Sequence, residues 1–212
     1  KTTTLYALLR KLNTPEVKII TIEDPIEYIF FFFYCLIEQR EIGIDANDFA
    51  VALKYVLRQD PNVIMVGEMR DNETIDAALT AAETGHLVFS TLHTGPAAES
   101  LSRIVSSFPA YQQGQIATKL SLCLRAVISQ RLLPAASGGR VAAREIMFNT
   151  PAIANLLRSQ KPEQISSIIQ TSSRDGMITL NRSIEELLAS GQITPEVAKM
   201  YTRGDSGDSY WR

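Results

Sequence analysis

Apolar residues recur along this chain in two rhythms, one of helical spacing and one of short branched runs. Together they predict alternating helices and strands. Leu5, Leu8, Leu9 and Leu12 share one helical face, so a helix begins at or near Lys1. Residues 17–22 read as a strand that runs into the sequence E-D-P-I-E-Y. Phe49, Ala52, Leu53, Val56 and Leu57 mark one face of an amphipathic helix over 48–59, which Asp60 and Pro61 end. Val63–Val66 has the length and branching of a buried strand. Asn72 is placed to cap a helix with Ile75, Ala78, Leu79 and Ala82 on one side. Gly85 stops that helix, and 87–92 gives a second buried strand. Strand, helix, strand favours a parallel crossover. That topology puts Glu68 and His93, each just past a strand, at one carboxyl edge of the sheet, where doubly wound folds bind ligands.

The remaining pattern is less regular. Residues 29–34 read I-F-F-F-F-Y, an uncharged window of high β propensity. Two readings of Phe30 to Phe33 stay open: a paired hairpin strand with its return over 36–40, or a sticky contact surface. Helices are expected over 96–108 and 114–132, the second with a core stripe of Ile116, Leu120, Leu124, Val127 and Ile128. A turn at 134–139 is the best candidate for a boundary, and 141–148 reads as a last strand. Short helices follow over 151–158, 162–170, 177–189 and 195–201, the last opened by a Thr-Pro-Glu start signal. The sequence after residue 203 has no periodicity.

Composition narrows the class without naming a chemistry. A chain of 212 residues with 45% hydrophobic content holds one large domain, or one domain with a small appendage. A formal net charge of −2 offers no overall basic surface for nucleic acid or membrane. Cys35 and Cys123 are too few for a disulfide framework, so a reducing compartment is the simpler reading. No stretch has the length of a transmembrane span. The expectation is a cytoplasmic chain, with membrane attachment through a partner left open.

Candidate chemistry sits at the strand ends. Lys1 and Thr2, at a helix start, match the last two positions of the phosphate-binding loop G-x-x-x-x-G-K-[ST]. In that motif the lysine reaches the β and γ oxygens and the hydroxyl ligates Mg²⁺. The glycines would precede Lys1, so the chain is expected to be an internal fragment that lacks the start of the loop and an N-terminal domain. Such a fragment is expected to be inactive alone. Glu23, Asp24 and Glu27 crowd the end of the first strand beside Pro25, which suits a general base or a ligand of magnesium-bound water. Arg40, Arg58 and Arg70 are candidate phosphate or subunit-boundary cations. His86, next to Gly85, reads as a structural residue.

In order, K-T-T-T, I-E-D-P-I-E-Y, L-R-Q-D-P-N-V-I-M-V-G-E-M-R-D and T-G-H-L-V-F-S-T-L-H-T resemble the bacterial type II/IV secretion ATPase superfamily. The match runs over about 1–147. The resemblance implies an α/β fold, a RecA-like P-loop NTPase core with a mostly parallel sheet over 1–148. A small C-terminal helical subdomain would cover 149–203, and 204–212 a tail. It implies ATP and Mg²⁺ as ligands, with Lys1, Thr2 and Thr3 at the nucleotide and Thr2 and Glu68 at the metal. Glu27 would be the general base, Glu68 the Walker B carboxylate and His93 the γ-phosphate sensor, with Glu23, Asp24 and His86 in secondary places. The partners implied are further copies in a hexameric ring and an inner-membrane pilus platform protein, with no nucleic acid.

Within the superfamily, 139–159 is similar to the type IV pilus retraction, or twitching-motility, ATPases, whose motif reads A-I-R-N-L-I-R-E. Here Ala154 replaces the first arginine and Ser159 the glutamate. The implied function is ATP-driven pilus retraction. The alternatives are a pilus-assembly or type II secretion ATPase, or a paralogue that binds nucleotide as a regulator with little turnover.

Overall fold

The computed structural model describes residues 1–30 and 34–202. The chain divides into two units, Lys1–His93 with Ser106–Cys123, and Thr94–Val105 with the described residues from Leu124 on.

The first unit begins with helix α1 (Thr2–Leu12) and strand β1 (Lys18–Glu23). Strand β2 (Leu36–Glu41), helix α2 (Phe49–Val56), strand β3 (Val63–Val66), helix α3 (Asn72–Glu83) and strand β4 (Leu87–Ser90) follow. The strands form one parallel sheet in the order β2-β1-β3-β4. Because side chains alternate across a strand, β1 sends its residues to two faces. Ile19 joins Tyr6, Leu9, Ile37, Val63 and Met65 in the core under α1. Ile20 and Ile22 join Leu53, Val56, Ile64, Val66 and Ala78 in the core under α2 and α3. Helices on both faces of a sheet whose described strands all run parallel are the layout of a RecA-like P-loop core.

From β1 the chain steps outward to β2, then returns across the sheet to β3, so the winding reverses between β1 and β3. At that reversal Gly67 donates its N–H to the Ile22 carbonyl at 2.8 Å. A Cβ on Gly67 would lie 3.3 Å from that oxygen and 3.5 Å from the Glu23 Cα, so a larger residue needs the strand ends to give by a few tenths of an ångström. The carboxyl ends of β1 and β3 thereby meet closely where their acidic residues leave the sheet.

Helix α4 (Ala97–Ser106) starts in the second unit, and helix α5 (Ala110–Cys123) returns to pack on α3. Lys119 of α5 reaches Asp76 at 3.3 Å and Glu83 at 3.4 Å. In the second unit, strands β5 (Ala126–Pro134) and β6 (Arg140–Phe148) form an antiparallel hairpin. Helices α6 (Pro151–Arg158), α7 (Ile165–Thr171), α8 (Leu180–Ala189) and α9 (Pro195–Tyr201) follow. Leu133 and Ala143 of the hairpin are buried with Leu180, Ile184, Ile193 and Ala198. The buried Glu145 accepts the Ala97 N–H at 2.8 Å, capping α4 from β6.

Several local expectations change. The strand expected over 36–40 is present as β2 and lies parallel to β1, with Thr21 opposite Gln39. The helix expected over 114–132 ends at Cys123, and its last third is β5. Ile116 and Leu120 of the expected stripe are buried, whereas Ile128 is exposed. The spacing of Leu124, Val127 and Ile128 mimics a helix, but Val127 and Ile128 pair with β6 instead. The turn at 134–139 joins β5 to β6 inside one unit, with Ala135 N–H donating to Gly139 O at 3.1 Å. Asp71, not Asn72, caps α3 by accepting the Thr74 N–H at 2.7 Å. β4 is half-buried rather than fully buried. Residues 31–33 of the phenylalanine run lie outside the described residues. Among the described residues no helix is long and apolar enough to cross a membrane.

Candidate active site

The carboxyl edge of the parallel sheet collects the polar residues that the strand ends carry. Lys1 stands at the N-cap of α1, and its Nζ donates to the Leu92 carbonyl at 2.7 Å. The same Nζ lies 3.3 Å from His93 Nδ1. An ammonium only donates, so Nδ1 accepts and the ring proton sits on Nε2. Nε2 faces Glu68 Oε2 at 3.4 Å. The other Glu68 oxygen meets Arg70 Nη2 at 2.7 Å. Partial burial draws the Lys1 ammonium below the ordinary lysine value, and the Glu68 carboxylate opposes that shift. On the adjoining side, Thr2 Oγ1 donates to Glu27 Oε1 at 2.9 Å.

Lys1, Thr2, Glu27, Glu68, Arg70 and His93 therefore form one connected group. A lysine, an arginine and the first N–H groups of α1, at Thr2 and Thr3, suit phosphate oxygens. A hydroxyl and two carboxylates are hard oxygen donors, the chemistry that Mg²⁺ takes from a protein. Mg²⁺ with a nucleotide fits this donor set.

Behind the edge lies a buried network. Glu23, 3% exposed, accepts from the Tyr6 hydroxyl, from Thr21 Oγ1 at 2.6 Å and from Gln39 Nε2 at 3.2 Å. Burial first, and then the hydrogen bond to Glu23, push the Tyr6 phenol above its ordinary value. Tyr6 also stacks on Phe30 at 4.7 Å and meets Tyr28 edge-on.

The other candidate residues stand apart. Thr3 and Asp24 are exposed, Asp24 preceding Pro25 through a cis peptide bond. Arg40 pairs with Glu38 and donates to Gln59 Oε1 at 2.7 Å. Arg58 is exposed in the turn that leads into β3, at the amino end of that strand. His86 Nδ1 lies 2.9 Å from the Ala81 carbonyl at the end of α3, so it closes a helix and precedes β4 instead of following it. Sequence reasoning missed Tyr6, Gln39 and Glu41. The only signal for the last two was their alternation on one strand.

The family model described as "Type II/IV secretion system protein" matches residues 1–199. The type IV pilus retractation ATPase PilT of Pseudomonas aeruginosa is 51% identical over 200 residues, covering 94% of this chain and 58% of that protein. A twitching motility protein of Neisseria gonorrhoeae is 48% identical over 212 residues, covering 99% of this chain and 57% of that one. A crystal structure of the pilus retraction motor PilT with bound ADP superposes with a TM-score of 0.88 at 46% identity. That match covers 97% of this chain and 58% of the solved one. The chain thus spans less than two thirds of the length of the relatives it matches, and it belongs to the type II/IV secretion system ATPase family.

Proposed function

We propose that this chain is the catalytic part of a ring-forming ATPase that drives type IV pilus retraction. The observation that carries the reading is the convergence of Lys1, Glu68 and His93, with Glu27 held beside them by Thr2. On binding, Lys1 exchanges the Leu92 carbonyl and His93 for the β and γ oxygens of ATP. Glu27 accepts a proton from the attacking water as its oxygen bonds to the γ-phosphorus and the bond to the β-phosphate oxygen breaks. The products are ADP and phosphate. Thr2 and Glu68 would hold Mg²⁺, which when bound neutralises charge on the phosphate oxygens. His93 donates from Nε2 toward the γ-phosphate, and Arg70 balances Glu68.

Arg58, exposed and remote from its own Glu27, suits the site of a neighbouring subunit in a hexameric ring. A pilus platform protein at the inner membrane is the partner on which that ring acts. Glu27→Gln in the intact protein is expected to lower ATP turnover by about 10²–10⁴-fold while ATP still binds. Unchanged turnover removes Glu27 from its role.

A second reading, a nucleotide-binding regulator with little turnover, draws on Ala154. It is buried in α6 where the retraction motif carries an arginine. Phosphate release at the level of buffer, alongside tight ATP binding, is the result that favours it.

A further inference from the structure

Glu27 sits in an exposed segment after β1, and side chains of β2 hydrogen-bond the backbone of the residues that flank it. The amide of Gln39 does two things at once. Its Nε2 donates to the Tyr28 carbonyl at 2.9 Å, and its Oε1 accepts the Phe30 N–H at 2.9 Å. Two residues on, Glu41 Oε2 accepts the Ile26 N–H at 3.0 Å. Strand periodicity puts residues 39 and 41 on the same face as Ile37, which lies in the core under α1. Parallel register sets Gln39 opposite Thr21 and Glu41 opposite Glu23, so both side chains reach past the end of β1 to the segment beyond it. Gln39 Nε2 also reaches Glu23 Oε1 at 3.2 Å and the Tyr6 hydroxyl at 3.4 Å. These partners fix the amide's orientation, with its NH₂ group toward oxygens and its oxygen toward an N–H. An apolar side chain offers neither function, and a carboxylate lacks the donor.

We propose that Gln39 is a positioning residue for Glu27. With Glu41 it clamps the backbone on both sides of Glu27, so the carboxylate stays beside Thr2 and the phosphate end of α1. This rests on the reading of Glu27 as the general base. Nucleotide affinity comes from Lys1, Thr2 and Glu68, which Gln39 does not touch, so its loss shows in kcat rather than in binding.

The test uses the intact protein with Gln39→Met, which keeps length and removes both functions, and Gln39→Glu, which keeps the acceptor and removes the donor. ATP turnover, the Kd of a fluorescent ATP analogue and amide hydrogen exchange over 26–30 without nucleotide are measured. Expected are a kcat about 10- to 100-fold lower, a Kd within about twofold of the parent and faster exchange over 26–30 in the Met variant. Turnover within about threefold of the parent in either soluble variant overturns the proposal. So does a loss of affinity that matches the loss of turnover, or unchanged exchange in the Met variant. Exchange is read without catalysis, so it judges the clamp even if Glu27→Gln retains full activity and the base assignment falls.

Discussion

Glu23 shows at the level of one residue how a strand-end acid is taken into the structure while another nearby stays open to solvent. Its carboxylate is buried and satisfied by a phenol, a hydroxyl and an amide, whereas Glu27, four residues on, is exposed. Removing the Tyr6 hydroxyl leaves that buried carboxylate short of a donor, so Tyr6→Phe is expected to cost about 1–3 kcal/mol in urea unfolding. The pH dependence has a definite sign. The folded state holds the Tyr6 proton above the ordinary phenol value, so above about pH 10 the unfolded chain binds fewer protons than the folded one. This stabilisation is complete below about pH 10 and declines as pH rises further toward the folded value. Unfolding midpoints at pH 9 and pH 11 should therefore differ less in Tyr6→Phe than in the parent.

Lys1, Glu27, Glu68 and His93 were legible in the sequence because each stands in a motif beside a strand or helix end. Tyr6, Gln39 and Glu41 were not. Their partners are fixed only once β2 lies parallel to β1, and local sequence does not state which strands pair.

At the scale of elements, buried runs and helix faces gave β1, β3, α1, α2 and α3 directly, because each matches a single period over its length. β5 was misread. A short amphipathic segment takes its state from tertiary pairing, so 126–132 passes for the end of a helix. The junction of β1 and β3 offers a direct probe. Gly67→Ala forces a methyl group against the Ile22 carbonyl, where buried backbone on both strands resists movement. The expected cost is about 1–3 kcal/mol, read as a lower melting temperature. Turnover should fall further than stability alone accounts for, because Glu68 is the next residue.

Across the whole molecule, the RecA-like core was legible from four ordered motifs, while the route of the chain between its units was not. The chain passes from one unit to the other at His93–Thr94, Val105–Ser106 and Cys123–Leu124, and only the first of these lies in a motif. The proposed ring gives a further expectation. If Arg58 acts on a neighbour's nucleotide, subunits carrying Arg58→Ala and subunits carrying Glu27→Gln, each inactive alone, should regain phosphate release when co-assembled. Mixtures as silent as their components would assign Arg58 to its own subunit.

The contact between Lys1 and His93 gives the first crossing an added meaning. The Lys1 ammonium lies 3.3 Å from the His93 imidazole, and His93 is the residue at which the chain first leaves its unit. Lys1 holds one nitrogen of that ring and Glu68 the other, so a substitution at either residue is felt at the last position before the chain leaves the sheet.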